Sequence, residues 1–439
     1  MVSVITSFSR ITIIAFIITY TLMDIFLIFE RKMSDGLRGV LQIIQSVMIV
    51  LFFINSSAVL YLNLEDFSVI AIGILFLLVI SLIAYSVNSF RIPASKTLLN
   101  NVLMLLSFGI IFLQRLSPSR AVRQFVFVVV SFIIGMILVS ILKRLQDFRE
   151  IKSWLYFYFF VGIVLLIIVL LAGSTEYGAK LSLNIGNISI QPSEFVKISF
   201  LFFMASTIVT FKDIRGFIIS TIGAVFHVLI LVCCKDLGTA LIFMMTYLFL
   251  SFIAYKNYIV LILEFLVATV GGVMAYNLFP HIQTRFIAWS DPLSVVDNQG
   301  YQISQSLFAI GTGGWLGSGL CNGLPTKIPV VTKDFIFAAI SEEMGAIVAL
   351  CLILIFICTF INIFNVAFEC TDSFYMLIIN GIGVVFAVQT FLNIGGVTKF
   401  IPSTGVTLPF ISYGGSSLLS MFLCFYIVES GLDLSRGLK

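Results

Sequence analysis

Four polar clusters interrupt an otherwise apolar chain and supply the side chains that could do chemistry. The first is QPSEFVK, in which Glu194 and Lys197 are three residues apart and therefore share one face of a helix. Two interpretations are open. Glu194 could simply suit the positive end of a helix dipole, or the pair could line a polar cavity at the mouth of a membrane bundle. Both residues are therefore candidate substrate-binding groups.

The other three clusters also lie next to long apolar runs. In KDLGT, Asp236 could cap the following helix. Glu342 and Glu343 enter a long apolar helix, where two adjacent carboxylates are costly unless they are paired or hydrated. The segment 393–417 contains two prolines and paired glycines, which predict a re-entrant or broken helix of the kind that is tolerated at membrane depth only beside a cavity.

The longest interruption of the apolar pattern is residues 285–343, which mix charged, polar, glycine and aromatic residues. In hydrocarbon each unsatisfied backbone group costs several kcal/mol. This stretch is therefore expected at a membrane surface or along a wet cavity. Long ordered loops are usually functional, so the stretch is the main candidate for a functional region.

The composition identifies a polytopic membrane protein with little soluble mass. Of 439 residues, 60% are hydrophobic and 10% are charged, and the mean hydropathy is +1.14, whereas soluble domains carry about 25% charged residues. The net charge of +4 is spread over loops and does not suggest nucleic-acid binding. The seven cysteines show no metal-ligand spacing, and two histidines are too few for a His-based metal site.

Thirteen apolar runs are long enough, or nearly so, to cross a hydrocarbon core of about 30 Å. Two of them, 98–114 and 238–254, are short, so twelve or fourteen spans are also compatible with the pattern. The first run is long enough to be an anchor and contains Asp24, whose place near the chain start favours a structural or interfacial role. The runs are 11–29, 40–62, 67–87, 98–114, 124–142, 154–172, 195–211, 216–234, 238–254, 258–278, 344–364, 373–395 and 413–432.

Lysine and arginine residues in short loops predict the orientation of the spans. If the basic loop 142–153 is cytoplasmic, most other basic loops are also cytoplasmic, and the N-terminus lies outside. Loop 115–123, with three arginines, falls on the outer side and disagrees. The asymmetry predicts that 279–338 is extracytoplasmic and that the C-terminus is cytoplasmic.

In their order and spacing the motifs resemble the SEDS family (shape, elongation, division and sporulation), which includes FtsW, RodA and SpoVE. The resemblance covers roughly residues 98–435 and implies an all-α polytopic fold with a ten-helix core, which fits the ten runs from residue 98 onward. Residues 1–90 would form an extra N-terminal bundle of about three helices. The matching motifs are QPSE, DLGTAL, GYQISQSLFAIGTGGWLGSGL, DFIFAAISEEMG and PSTGVTLPFISYGGSSL.

The resemblance implies an enzyme that polymerises peptidoglycan in the bacterial plasma membrane. Members of this family use lipid II outside that membrane, join its disaccharide-pentapeptide units with inversion, and release undecaprenyl diphosphate. The implied partners are class B penicillin-binding proteins and other divisome or elongasome membrane proteins, with no nucleic acid. No cofactor is certain, although a divalent cation is compatible with this chemistry.

Glycosyl transfer of this kind needs a general base near the acceptor 4-OH and positive charge or hydrogen-bond donors near the leaving diphosphate. The candidate diphosphate partners are Lys197, Lys235, Arg285 and Lys399, although each could equally be an interfacial base whose stem lies along apolar surface. The expected substrate-binding residues are Glu194, Lys197, Asp236, Arg285, Lys399, Ser412 and Ser416.

The sequence departs from the family pattern at the catalytic aspartate. In the family this residue lies six positions before the Tyr of the GY element, in a pattern similar to (N/D)PxxDPxGxGYQ. Here Asp291 and Tyr301 match the two ends, but Val295 occupies the catalytic position and cannot act as a base. Asp297 is the nearest substitute and the expected base, and Asp291 is the second candidate. Under a third hypothesis the chain has lost polymerase activity and acts as a scaffold.

A transporter that flips a lipid-linked precursor is the alternative from a different functional class. Such a protein should show charged residues deep in several helices and often an internal repeat. In this sequence the charges lie mainly at helix ends on one face, and no repeat is evident. The pattern therefore favours a glycosyltransferase.

Overall fold

The computed structural model describes residues 2–29, 33–89, 95–144, 154–176, 179–186, 188–211 and 213–436. Within these residues the chain is an all-α polytopic membrane protein with fifteen α-helices and one small sheet. The helices are α1 (Val2–Phe29), α2 (Asp35–Leu64), α3 (Phe67–Ser89), α4 (Lys96–Leu116), α5 (Pro118–Arg144), α6 (Trp154–Ala172), α7 (Pro192–Thr210), α8 (Ile214–Cys233), α9 (Leu237–Tyr255), α10 (Tyr258–Leu278), α11 (Pro280–Ser290), α12 (Tyr301–Gly313), α13 (Ile336–Glu369), α14 (Ser373–Val397) and α15 (Gly415–Arg436).

The apolar runs of the sequence correspond one to one with long helices. Twelve of the thirteen form helices that are long and apolar enough to cross a membrane, including both runs that looked short. The last run, 413–432, forms α15, whose apolar part Gly415–Gly431 is shorter than those twelve. Several basic residues that the topology prediction used lie outside the described residues, namely Arg31, Lys32, Arg91, Arg149, Lys152, Lys212 and Lys439.

Two regions that the apolar pattern left as loops contain regular structure. The long loop 279–338 holds α11, α12 and a short 3-10 helix at Pro325–Lys327. Between α6 and α7 lies a three-stranded antiparallel sheet of order β1-β2-β3. The strands are β1 (Ser174–Glu176), β2 (Ala179–Ile185) and β3 (Ile188–Ile190).

The chain folds into two compact units, each assembled from separate segments of sequence. The first, unit 1, contains α1–α4, α11 from Ile287 onward, α12 and most of α13. The second, unit 2, contains α6–α10, the sheet and α15. Unit 1 comprises Met1–Phe132, Ile287–Asn362 and Thr390–Gly414, and unit 2 comprises Ile133–Phe286, Ile363–Gln389 and Gly415–Lys439.

In unit 1, polar side chains fasten the N-terminal helices to α4. The amide of Asn101 on α4 accepts a hydrogen bond from the hydroxyl of Tyr20 (2.6 Å) and donates one to the carboxyl of Asp24 (2.9 Å), both on α1. Next to it, Asn100 accepts from the hydroxyl of Ser46 on α2 (3.1 Å). Asp24 therefore takes part in a contact between helices, which is the structural role that the sequence favoured.

Also in unit 1, α13 is broken at Gly345, whose φ of 86° is a backbone conformation that favours glycine. The break frees backbone groups on both sides, and residues Gly314–Leu324, which we call the strap, satisfy them. The N–H of Ser318 in the strap donates to the carbonyl of Glu342 (2.9 Å), and the N–H of Ala346 donates to the carbonyl of the first strap residue (2.8 Å). The sequence predicted a broken element at 393–417 but not this one.

The segment between α14 and α15 is irregular, as the prolines and glycines at 393–417 predicted. Residues Leu408–Ser412 are nevertheless buried. They pass close to α4 at Gly109, where an added Cβ would lie 2.8 Å from the carbonyl oxygen of Ile411. A larger residue than glycine at position 109 would therefore displace this segment.

Candidate functional site

Glu194 and Lys197 form a buried ion pair in the first turns of α7. Their carboxylate and ammonium groups are 2.7 Å apart, and the side chains are 8% and 3% exposed. Lys197 also donates to the amide oxygen of Gln389 on α14 (2.9 Å), and Ser420 on α15 donates to Glu194 (2.9 Å). A carboxylate with these partners is not a simple helix-end charge, so Glu194 and Lys197 do form a pair, and their lining of a polar cavity stays a prediction.

Further polar groups of unit 2 continue from this pair. The hydroxyl of Ser193 donates to the carboxylate of Asp236 (3.4 Å), which also caps α9 by accepting from the N–H of Thr239 (3.2 Å). Burial raises the pKa of Asp236, and the nearby Glu194 carboxylate raises it further. The hydroxyl of Ser416 accepts from the N–H of Gln191 (3.0 Å). Together with Glu194 and Lys197, four of the predicted substrate-binding residues therefore belong to one polar region of unit 2.

A basic group forms around His281 on α11. Burial lowers the pKa of His281, and the positive charges of Arg285 and Lys235 lower it further. Lys235 is exposed and has a left-handed φ of 63° at the end of α8. Two of the four predicted diphosphate partners thus share one electropositive neighbourhood, where an anion would be bound favourably.

In unit 1, the acidic stretch Asp291–Gly300 folds into a compact turn between α11 and α12. Its backbone closes on itself, because the carbonyl of Val295 accepts from the N–H of Gly300 (2.9 Å) and the carbonyl of Pro292 accepts from the hydroxyl of Ser304 (3.0 Å). Gly300 is required by this close approach, since an added Cβ would lie 2.2 Å from the Pro292 carbonyl oxygen. The turn therefore holds the two candidate aspartates on a fixed backbone.

The carboxylates of the two aspartates differ in their hydrogen bonding. Asp291 is exposed, and its Oδ1 accepts a weak hydrogen bond from the N–H of Ser294 (3.4 Å). Asp297 is exposed near the end of the turn, and within the described part of the chain its carboxylate has no hydrogen-bond or ion-pair partner. Val295 is half-buried. Of these residues, only Asp297 offers a carboxylate with both oxygens free.

The other predicted residues of unit 1 have mainly structural contacts. Lys399 follows α14 with a left-handed φ of 60°, and its carbonyl accepts from the indole N–H of Trp289 (3.1 Å). The hydroxyl of Ser412 is buried, donates to the carbonyl of Lys333 and accepts from the N–H of Leu408. Ser412 is thus engaged with the backbone, and its role toward substrate stays a prediction.

The predicted site residues fall into two sets. Unit 2 holds Glu194, Lys197, Asp236, Arg285 and Ser416, and unit 1 holds Asp291, Asp297, Lys399 and Ser412. Their convergence around one cavity stays a prediction. Among the described residues there is no group of three or more His, Cys, Asp or Glu that could hold a metal ion.

Several polar partners in both units were not identified from the sequence. Gln389 and Ser420 lie inside apolar runs, and only the need of a buried ion pair for further hydrogen bonds could have indicated them. His281 was considered only as a metal ligand. Arg115 was assigned to an outer loop, but it pairs with Glu343 at 3.1 Å.

The chain is similar in sequence and fold to several known proteins. A family model described as a cell cycle protein, and named for FtsW, RodA and SpoVE, matches residues 94–433. The peptidoglycan glycosyltransferase RodA of Mycobacterium tuberculosis (strain H37Rv) is 31% identical over 386 residues, which cover 81% of this chain and 81% of the relative. The stage V sporulation protein E of Bacillus subtilis is 34% identical over 66% of this chain and 81% of its own length.

Solved structures show the same fold. One described as "Structural coordination of polymerization and crosslinking by a peptidoglycan synthase complex" matches with a TM-score of 0.65 at 23% identity. The match covers 77% of this chain and 97% of that chain. The remainder of this chain therefore has little counterpart there.

Proposed function

The chain belongs to the FtsW/RodA/SpoVE family, and on this basis we propose that it is a peptidoglycan glycosyltransferase that polymerises lipid II at the outer face of the plasma membrane. Relatives named peptidoglycan glycosyltransferase support the reaction class. Within the chain, the observation that carries the proposal is the exposed, unpartnered carboxylate of Asp297 on a closed turn. A general base needs such an acceptor on a fixed backbone.

In the proposed reaction, Asp297 accepts the proton of the acceptor 4-hydroxyl as that oxygen attacks the anomeric carbon of the donor sugar. The new C1–O4 glycosidic bond forms with inversion while the bond from C1 to the diphosphate oxygen breaks. The electron pair of the broken bond leaves with undecaprenyl diphosphate. The carboxylate is regenerated when the proton passes to water.

The leaving diphosphate gains negative charge as this bond breaks, and positive groups that meet it lower the barrier. We assign this role to Arg285 and Lys235, which flank His281, with Lys197 and Lys399 as the other candidates. Lys197 is already neutralised by Glu194 and is buried, so it is suited to orienting the substrate rather than to compensating the diphosphate.

The test of this function is polymerisation of labelled lipid II by the purified protein, alone and with a cognate class B transpeptidase. Glycan strands that contain the label are expected in at least the second reaction. If a partner-bound relative makes strands under the same conditions and this protein does not, Val295 marks a lost catalytic position and the scaffold hypothesis is correct. That alternative is favoured by Val295 alone.

We propose that loop 279–338 is extracytoplasmic and that the C-terminus is cytoplasmic. The arginines of loop 115–123 disagree with the orientation predicted from basic loop residues, but two of the three have partners within the protein. Arg115 pairs with Glu343, and Arg120 donates to the hydroxyl of Thr332 and lies 5.6 Å from the ring centroid of Tyr413. Charges held within the protein carry less topological information than free loop charges.

The orientation predicts which introduced cysteines react with an impermeant thiol reagent in intact cells. With the native cysteines replaced, Ser294→Cys is expected to react because Ser294 is exposed in the loop. A cysteine appended after the C-terminus is expected to react only after the cells are permeabilised. The reverse pattern would show that the whole bundle is inverted.

We further propose that residues 1–90 form an N-terminal addition to a family core at 98–435. The family model matches residues 94–433, and a solved relative matches only 77% of this chain, so both agree with a core that is shorter than the chain. The proposed partners are class B penicillin-binding proteins and other divisome or elongasome membrane proteins, since that relative is described as a complex that coordinates polymerisation and crosslinking.

A further inference from the structure

Two adjacent carboxylates on α13 meet a single guanidinium in unit 1. Glu343 is fully buried and its Oε1 lies 3.1 Å from Nε of Arg115 on α4. Glu342 is 6% exposed, and its Oε1 accepts from the N–H of Leu324 (2.9 Å). Nη2 of Arg115 donates a hydrogen bond to the carbonyl of Gly323 (3.3 Å).

Both carboxylates pack against Gly323 of the strap. A Cβ added at Gly323 would lie 2.9 Å from Cγ of Glu343 and 3.0 Å from Cδ of Glu342. The Oε2 atom of each glutamate is buried and has no hydrogen-bond donor within the described residues. Two oxygens that would each accept a proton are therefore enclosed in one small space without a partner.

The charges of this cluster do not balance if both glutamates are ionised. One guanidinium and two carboxylates leave one net negative charge in a buried setting, which is strongly unfavourable. Carboxylates that share a site normally cannot both ionise, and one keeps its proton. We propose that Glu342 and Glu343 together hold one proton, so that the cluster with Arg115 is neutral and clamps the strap to α13.

The clamp acts at the break in α13. Its carboxylates belong to the two residues whose backbone carbonyls accept from the strap residues Ser318 and Gly319 (both 2.9 Å). The strap directly follows α12, and α12 directly follows the turn that carries Asp297. Glu342 and Glu343 are therefore positioning residues for this region.

The groups that face the pair determine how it responds to pH. They are Arg115 from α4, the thiol of Cys321 from the strap, whose backbone N–H also donates to Glu343, and the two carboxyls themselves. Burial raises the pKa of Cys321 to about 11, so it stays neutral. The folded state thus binds one proton that the unfolded chain has lost at neutral pH. Linkage requires the resulting stability to fall as the pH rises.

The test compares isosteric variants by thermal unfolding and by infrared spectroscopy, neither of which needs enzymatic activity. Glu342→Gln keeps the Arg115–Glu343 contact and needs no proton. It is expected to have a Tm at or above the parental value at about pH 8, with a flatter dependence of Tm on pH. Glu343→Gln removes the partner of Arg115 and is expected to lower Tm at every pH.

The infrared experiment observes the proton directly. Both single variants are expected to lose the same protonated-carboxyl C=O band from the parental spectrum, because one proton belongs to the pair. Asp66→Asn is the control, since Asp66 accepts from the N–H of Ser68 and its pKa is lowered by that bond. That variant should lose no such band.

Three results would each overturn the proposal. One is that neither glutamate variant loses a protonated-carboxyl band. Another is that Glu342→Gln shows the parental dependence of Tm on pH. The third is that a chelator lowers the Tm of the parent but not of Glu342→Gln, which would mean that the pair holds a metal cation instead of a proton.

Discussion

Replacing Asp297 by asparagine is expected to lower the rate of lipid II polymerisation by about 10²–10⁴-fold, the usual cost of removing a general base. Asparagine keeps the size of the side chain but cannot accept the proton of the acceptor hydroxyl. Asp297 is exposed and has no partner in the described structure. The expected loss is therefore chemical and not a loss of folding.

Asp291→Asn is the matched control, because Asp291 belongs to the same turn and is also exposed. Asparagine can still accept from the N–H of Ser294, so the turn should survive. A rate close to the parental one is expected. If Asp291→Asn is the inactive variant and Asp297→Asn polymerises normally, the base is Asp291. Unfolding temperatures of the two variants should match that of the parent.

The second large effect concerns the ion pair on α7. Lys197→Met leaves Glu194 buried without its cation, and breaking a buried pair in this way costs about 3–5 kcal/mol. The free energy of unfolding in detergent, from denaturant titration, should fall by that amount. The hydroxyl of Ser420 remains as a donor to Glu194 but cannot replace a positive charge.

The double variant Glu194→Gln with Lys197→Met separates stability from substrate binding. It removes both charges, so most of the lost stability should return. If the stable double variant still polymerises lipid II at the parental rate, the pair is purely structural. If Lys197→Met alone is as stable as the parent, the ion pair does not hold α7 as the structure suggests.

The helices of this protein were predictable because hydrocarbon imposes a local rule. A membrane span must satisfy its own backbone hydrogen bonds, so each span corresponds to one continuous apolar stretch of the sequence. The spacing of Glu194 and Lys197 is likewise local, since residues three apart on a helix are neighbours. Both predictions used only residues close in sequence.

The features that were missed depend on contacts between distant residues. The strap satisfies the backbone of a helix break roughly twenty to thirty residues further along the chain, and nothing in the run DFIFAAISEEMG shows that its glycine is left-handed. Gln389 and Ser420 are distant in sequence from the α7 ion pair, and their role is evident only from their hydrogen bonds to it in the folded chain. Asp291 and Asp297 lie in one exposed turn, so the sequence pattern does not distinguish them, whereas the hydrogen bond from the N–H of Ser294 to Asp291 does.

The complete burial of α4 bears on how the protein is made. Every residue from Thr97 to Gln114 is shielded, and the amides of Asn100 and Asn101 take their partners from α1 and α2. Ribosomes deliver those two helices first, so they are in the bilayer before α4 leaves the insertion machinery. Unpartnered amides are costly in lipid. The partners of these two amides, on α1 and α2, are already in the bilayer when α4 is inserted. Biogenesis of the family core would then begin on a surface that the preceding ninety or so residues have already built.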